Sequence, residues 1–392
     1  MRNIKDELNL NKKKILLRLD LNVPLINGKI TDTTRIDKII PTIKFLLKND
    51  VKIIILSHVG RPKGKVINEL SLKPICEDLK KKLSENIILI TKNLKKIDSG
   101  DLFNNQNEKI VMLENLRFYE EEEKNSNEFA KHLASLADIY VNEAFSCSHR
   151  AHASISEITK FLPSYAGLQL NLEINALSKI TSEIKKPISC IIGGSKISSK
   201  IDIIKNLIPK FDNIIIVGGM ANNILKYKGH KIGKSIQENN CDVIIKEIFS
   251  LSNKENCRII YPEDVVVSKS LNGLPEIKES SDILEDELIL DIGPKSIKNI
   301  CSIIEESKTI LWNGPAGYFE NPSFANGSAK IARKIVENNK NNKIYSVAGG
   351  GDTVSLLNSL NLTNNFNFVS TAGGAFLEYL EGKEIPGIKA LN

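Results

Sequence analysis

Arginine is scarce in this chain. Eight occur in 392 residues, while lysine supplies most of the 54 basic side chains. No stretch is long and apolar enough to span a bilayer. The opening Met1-Arg2-Asn3-Ile4-Lys5-Asp6-Glu7 leads into no apolar run of signal-peptide length, so the expected compartment is the cytoplasm. The six cysteines are scattered and form no Cys-x-x-Cys pair, which argues against a zinc or redox motif and for reduced, mostly buried thiols. No Walker A sequence is present. Gly229-His230-Lys231-Ile232-Gly233-Lys234-Ser235 has three residues between its glycines where that motif needs four, and it reads as a loop. Gly-x-Gly-x-x-Gly, Gly-x-Ser-x-Gly and His-Glu-x-x-His are also missing. The net charge of +7 is spread along the chain without a basic block, which argues against nucleic-acid binding as the main role.

What is present suits a globular protein, 41% hydrophobic and 26% charged. The length exceeds what one hydrophobic core serves, so two domains are expected. Apolar runs predict strands at 14–19, 51–57, 86–90, 109–113 and 138–142. Others follow at 187–192, 213–217, 258–261, 287–291, 309–312, 343–347 and 366–369. Helical patterns such as 71–83 and 127–137 alternate with them. Mostly continuous apolar strands imply parallel sheets covered on both faces, with α/β architecture and one open sheet per half. The boundary is expected near an amphipathic segment, 168–182, after the break at Pro163–Gly167. Asn338–Asn342 reads as an exposed turn.

The polar motifs follow the predicted strands directly. Asp20, Asn22, His58, Arg61, Arg117 and 146–154 do so in the first half. In the second half, Gly193–Lys196, Gly218-Gly219, Gly293–Lys295, Asn313–Pro315 and Gly349–Asp352 do the same. Open α/β sheets bind ligands at the carboxyl ends of their strands. Four of the eight arginines, Arg35, Arg61, Arg117 and Arg150, lie in or beside such motifs, and only arginine offers a bidentate fork to carboxylate or phosphate. The first edge therefore suits a small multivalent anion. The glycine- and lysine-rich second edge suits a nucleotide polyphosphate on backbone N–H groups. Together they suggest phosphoryl transfer.

Individual motifs are less decisive. Gly349–Thr353 reads either as a phosphate loop with Asp352 holding hydrated Mg²⁺, or as a tight turn with Asp352 as a helix N-cap. His149-Arg150-Ala151-His152 suits an anion better than a metal, and His152 reads as a packed, hydrogen-bonded side chain. Glu120–Glu123 reads as a solvated helix face or turn.

Arg18–Pro24, Ser57–Pro62, Glu114–Phe118 and His149–His152 resemble the phosphoglycerate kinase family in order and spacing. So do Gly193–Lys200, Trp312–Pro315, Gly349–Thr353 and Ser370–Gly374. The resemblance runs nearly end to end. It implies two doubly wound, Rossmann-like parallel-sheet domains joined by a hinge helix. Residues 1–167 would bind phosphoglycerate, 168–183 would form the interdomain helix, 184–371 would bind nucleotide, and 372–392 would return to the first domain. Asp20, Leu21, Asn22, Arg35, His58, Val59, Gly60, Arg61, Arg117 and Arg150 would hold 3-phosphoglycerate or 1,3-bisphosphoglycerate. Lys196, Lys200, Asn313, Glu320, Gly350, Gly351, Asp352 and Thr353 would hold ATP or ADP, with Asp352 helping to hold Mg²⁺. Arg35, Lys196, Gly373 and Gly374 would meet the transferring group. A cytoplasmic monomer without nucleic-acid or membrane partners is implied. Departures from the family pattern are Glu143 for Asp, Ser146 for Gly, Ser195 for Ala, Ser199 for Asp, Ala316 for Met and Ala372 for Gly. Another α/β kinase, a non-enzymatic nucleotide-binding module and a basic nucleic-acid binder remain the alternatives.

Overall fold

A computed structural model describes residues 1–103, 107–341 and 343–392. The chain divides into two compact units, Met1–Ile174 with Glu384–Asn392, and Asn175–Lys383. The division falls inside the helix Leu168–Thr181. Ala372–Lys383 belongs with the second unit, so the segment returning to the first is shorter than expected from the sequence. The helix Gly374–Leu380 is anchored there by Asn206, whose Nδ2 donates to Leu380 O at 2.6 Å.

The first unit is built on a six-stranded parallel sheet. Its spatial order is Ile87–Ile90, Ile110–Leu113, Lys52–Leu56, Lys14–Arg18, Ile139–Asn142, Ser164–Ala166. Successive side chains point to opposite faces, yet Ile15, Leu16 and Leu17 are all buried, as are Ile53, Ile54 and Ile55. Only a sheet covered on both faces allows that. One face packs on Ile36, Ile39, Ile43 and Leu46 of helix Thr34–Leu47 and on Ile75 and Leu79 of helix Lys73–Leu83.

The second unit repeats the plan in the order Arg258–Ile260, Asn213–Ile216, Ile188–Ile192, Thr309–Asn313, Tyr345–Gly349, Phe368–Ser370, again all parallel. Its core contains Trp312, which is fully buried and donates its indole N–H to Gly314 O at 2.7 Å. The strand read at 287–291 exists, at Leu288–Ile292, but not in this sheet. It joins Asp264–Ser268 and Glu276–Glu279 in a three-stranded antiparallel sheet. Apolarity found that strand and said nothing of its partners. A further hairpin, Leu25–Ile26 with Lys29–Ile30, turns at Asn27-Gly28, both at positive φ (50° and 72°), as a tight two-residue turn requires. Asn338–Lys340 is not an exposed turn. It ends the helix Asn326–Lys340, and Asn338 is buried. Asn342 lies outside the described residues.

Each six-stranded sheet is entirely parallel, so all its strands deliver their following loops to one edge. That is what gathers motifs far apart in sequence.

Candidate active site

At the first edge the side chains are held before any ligand arrives. Arg18, the last residue of its strand, is fully buried. Its Nε donates to Ser154 Oγ at 2.8 Å, one terminal nitrogen donates to Leu19 O, and the other lies 3.2 Å from His58 Nδ1. Asp20 accepts the Asn22 N–H at 3.2 Å and the Ser146 hydroxyl, and pairs with Arg35 at 2.9 Å. Arg35 also donates to Asn22 O at 3.1 Å, while Asn22 Oδ1 accepts the Gly60 N–H at 2.9 Å. Leu21 N donates to Ser57 Oγ. Arg117 donates to Gly60 O at 3.1 Å and sits 3.4 Å from Glu123. Asn115 fixes this loop, donating to Val59 O and Leu70 O while accepting the Arg117 N–H. Arg61 and Arg150 are exposed.

Burial, then the charges of Arg18 and Arg117, holds His58 well below the ordinary imidazole pKa. Burial and the same two arginines, Arg117 first, push His152 down to about 3. Both rings are neutral at pH 7, so the positive charge here is arginine charge. Arg117 itself is lowered, chiefly by burial. Ligand atoms of Asp20, His58 and Cys147 lie within 4.8 Å of one another, as a metal site would need. However, Arg35 already occupies Asp20, Arg18 occupies His58, and burial raises the Cys147 thiol. The cluster suits an anion, not a cation.

The second edge is built from backbone. Gly193 follows its strand and donates to Asn313 O at 2.9 Å; a Cβ there would lie 2.3 Å from Pro315 O. Gly314, at φ +107°, would place a Cβ 2.2 Å from Gly193 O. These two strand ends touch only because both lack side chains. Asn313 donates to Gly349 O at 2.9 Å and accepts from Lys200, whose pKa is lowered mainly by burial. Thr353, fully buried, accepts the Gly314 N–H at 2.7 Å. Gly350, at φ +95°, caps the helix Gly351–Ser359, so Asp352 lies in the first turn and is not the N-cap. Asp352, Lys196 and Glu320 are exposed. Gly373, at φ +56°, precedes helix Gly374–Leu380 with open space at its Cβ position. The Gly229–Ser235 segment is tied to Glu287, whose carbonyl accepts Lys234 N at 2.7 Å.

A cleft of about 260 Å³ opens in the second unit, lined by Gly194, Gly218-Gly219, Leu271, Leu288–Ile292, Pro315–Glu320 and Asp352. Its wall is largely apolar with carboxylates at Glu320 and Asp352, which suits a flat base with polar groups beside it. Asp291 is buried in that wall. It accepts the Gly327 N–H at 2.7 Å and the Ile292 N–H at 2.9 Å, and burial raises its pKa to about 7.

Sequence reasoning missed Glu122, Ser154 and Asp291, and gave Arg18 no role. Glu122 corrects the reading of Glu120–Glu123 as solvated. It is fully buried, accepting Ser154 Oγ at 2.6 Å and Ser154 N at 3.0 Å, while its three neighbours are not. Four like residues in a row carry no signal of which faces inward. For Arg18 a signal existed: a charge set between the apolar Ile15-Leu16-Leu17 and Leu19.

Known proteins match this arrangement. The phosphoglycerate kinase family model matches residues 5–383. The chain is 46% identical over 390 residues to the phosphoglycerate kinase of Wolbachia pipientis subsp. Culex pipiens (strain wPip), covering 97% of this chain and 96% of that one. It is 42% identical over 390 residues to that of Dictyoglomus turgidum, covering 99% and 97%. The solved structure of phosphoglycerate kinase from Coxiella burnetii superposes with a TM-score of 0.92 at 38% identity, covering 99% of this chain and 98% of that one.

Proposed function

The chain belongs to the phosphoglycerate kinase family, and from that premise we propose how its own residues carry the reaction. The reaction is reversible phosphoryl transfer from 1,3-bisphosphoglycerate to ADP, giving 3-phosphoglycerate and ATP in glycolysis. The first edge takes the phosphoglycerate. Asp20, Leu21, Asn22, Arg35, His58, Val59, Gly60, Arg61, Arg117 and Arg150 hold it, with the arginines as charge partners and Asp20 and Asn22 as hydrogen-bond partners. The second edge takes the nucleotide. Lys196, Lys200 and Gly350–Thr353 meet its phosphates, Asn313 braces Lys200, and Glu320 meets the ribose beside the apolar cleft.

The acyl phosphate is already activated and its leaving group is a carboxylate, so no protein nucleophile or strong base is required. Alignment and charge stabilisation remain. Arg35 and Lys196 serve the oxygens of the transferring group, with Gly373 and Gly374 offering backbone N–H groups at a helix start. Asp352 fits a hydrated Mg²⁺ held mainly by nucleotide phosphates, because it is an exposed carboxylate at the cleft and that ion keeps most of its waters. Bound there, the ion would neutralise phosphate charge. We further propose a cytoplasmic monomer with no nucleic-acid or membrane partner. Among the described residues no helix is long and apolar enough to cross a membrane.

The observation that supports this reading most is the pre-paired arginine cluster at the first edge, where half-buried Arg35 is already fixed by Asp20 and Asn22 and half-buried Arg117 by Gly60. A coupled assay of the purified protein with ATP, Mg²⁺ and 3-phosphoglycerate tests it. Turnover is expected, and its absence with this acceptor alongside turnover on another small phosphorylated acid would assign a different kinase. Transfer also needs both ligands engaged at once. Scattering on free, binary and ternary forms should therefore give the smallest radius of gyration for the ternary complex, and four equal radii would remove closure from the mechanism.

A further inference from the structure

Arg18 is a charged side chain with no exposed surface. Burying a cation is costly unless it is compensated. Its direct partners are Ser154 Oγ, Leu19 O and His58 Nδ1, none of them an anion. The compensating charge stands one hydroxyl away. Ser154 Oγ donates to Glu122 Oε1 at 2.6 Å, and Glu122 Oε2 accepts the Ser154 N–H at 3.0 Å. The backbone carbonyl of Glu122 accepts Ala153 N at 2.9 Å, so the short helix Glu120–Glu123 is clamped to the segment carrying Ser154.

The direction of every bond in this chain is forced. A guanidinium has only donors. Ser154 must therefore accept from Arg18, which leaves its own hydrogen for Glu122. His58 Nδ1, 3.2 Å from Arg18, must present its lone pair. The neutral ring then carries its hydrogen on Nε2. Cys147 Sγ, 4.0 Å from the same Nδ1, agrees with this, since a thiol can approach it as a weak donor.

We propose that Glu122, Ser154 and Arg18 form a positioning relay that fixes His58 in its Nε2–H tautomer, so that it meets phosphoglycerate as a neutral donor. The substrate half rests on the phosphoglycerate reading given above, whereas the tautomer does not. Burial and the surrounding arginines, which keep the ring uncharged, support it.

Long-range ¹H–¹⁵N spectra of the full-length protein at neutral pH read the tautomer directly, with His58 assigned by the signal lost in His58→Gln. The expected result is a protonated Nε2 and a bare Nδ1. A hydrogen on Nδ1, or an imidazolium, in the wild type overturns the proposal without recourse to any relay variant. Ser154→Ala should shift His58 toward a tautomer mixture. It should also raise KM for 3-phosphoglycerate about 10-fold, the scale of one hydrogen bond to a charged group, with KM for ATP unchanged. Ser154→Thr, which keeps the hydroxyl, should restore both. A raised KM with unmoved His58 signals would make the network merely structural. Moved signals with an unchanged KM for 3-phosphoglycerate would overturn the substrate half and leave the relay standing.

Discussion

The two units share a sheet plan and build their strand-end edges in opposite ways. At the edge of the first, side chains do the work. Arg18, Arg35 and Arg117 are pinned by Ser154, Asp20 and Gly60, and the loops between them by Asn115. At the edge of the second, the absence of side chains does it. Gly193 and Gly314 let two strand ends meet, and Gly350 opens a helix N-terminus. The ligand classes proposed for the two edges account for the difference. A small, highly charged acid is recognised by forked, rigid cations. A polyphosphate is recognised by backbone N–H groups, which need close approach and no Cβ. The first edge should therefore be sensitive to truncation, and the second to addition.

Arg35→Ala attacks the first edge. It should lower kcat by about 100- to 1,000-fold while leaving ATP binding nearly intact, the scale of losing one preorganised contact to developing charge. Steady-state kinetics decide it, and a near-normal kcat would take Arg35 out of the transfer step.

Asp291 attacks the contrast from the other side, as a buried carboxylate within the backbone-built unit. Its folded pKa, about 7, lies above its unfolded one. The folded state therefore holds its proton longer, and the associated stability is lost as pH rises from about 4 through about 7. Relative to Asp291→Asn, the wild type should lose about 3 kcal/mol between about pH 5 and pH 8. Denaturant unfolding across that range measures it; a parallel pair of stability curves would show that Asp291 is ionised throughout.

Gly314→Ala tests addition. At φ +107°, with Gly193 O only 2.2 Å from the new Cβ, it should cost about 2 kcal/mol of stability in the second unit. It should also raise KM for ATP more than KM for 3-phosphoglycerate. Equal changes in both would break the division of labour between the edges.

Lys196→Ala should have the smallest effect of the four. Lys196 is exposed, so the fold should survive unchanged, and kcat should fall about 10-fold, by one charge contact in a solvent-screened position. Unchanged kinetics would reduce it to a strand-end lysine.

Much of this was legible before the structure. Parallel strands buried on both faces appear as unbroken apolar runs, so Ile53-Ile54-Ile55 and Ile214-Ile215-Ile216 could be located from sequence alone. Glu276–Glu279 could not, because its polar, largely exposed side chains give no such run. The glycine loops and Arg35 stood out by composition and position. Glu122 did not, because burial of one glutamate among four depends on what packs over it, here Ser154 and Ala153 from far along the chain.

The sequence alone determined the architecture, the strand-end placement of the polar motifs and the family. Periodicity and local motifs are properties of neighbouring residues, and they persist in the unfolded chain. Only the tertiary structure decided which charges are buried, which donor faces which acceptor, and hence which nitrogen of His58 carries the hydrogen. Burial and hydrogen-bond direction are relations between Arg18, His58, Glu122 and Ser154 that arise only when strands and loops separated by up to 136 positions are brought to one edge.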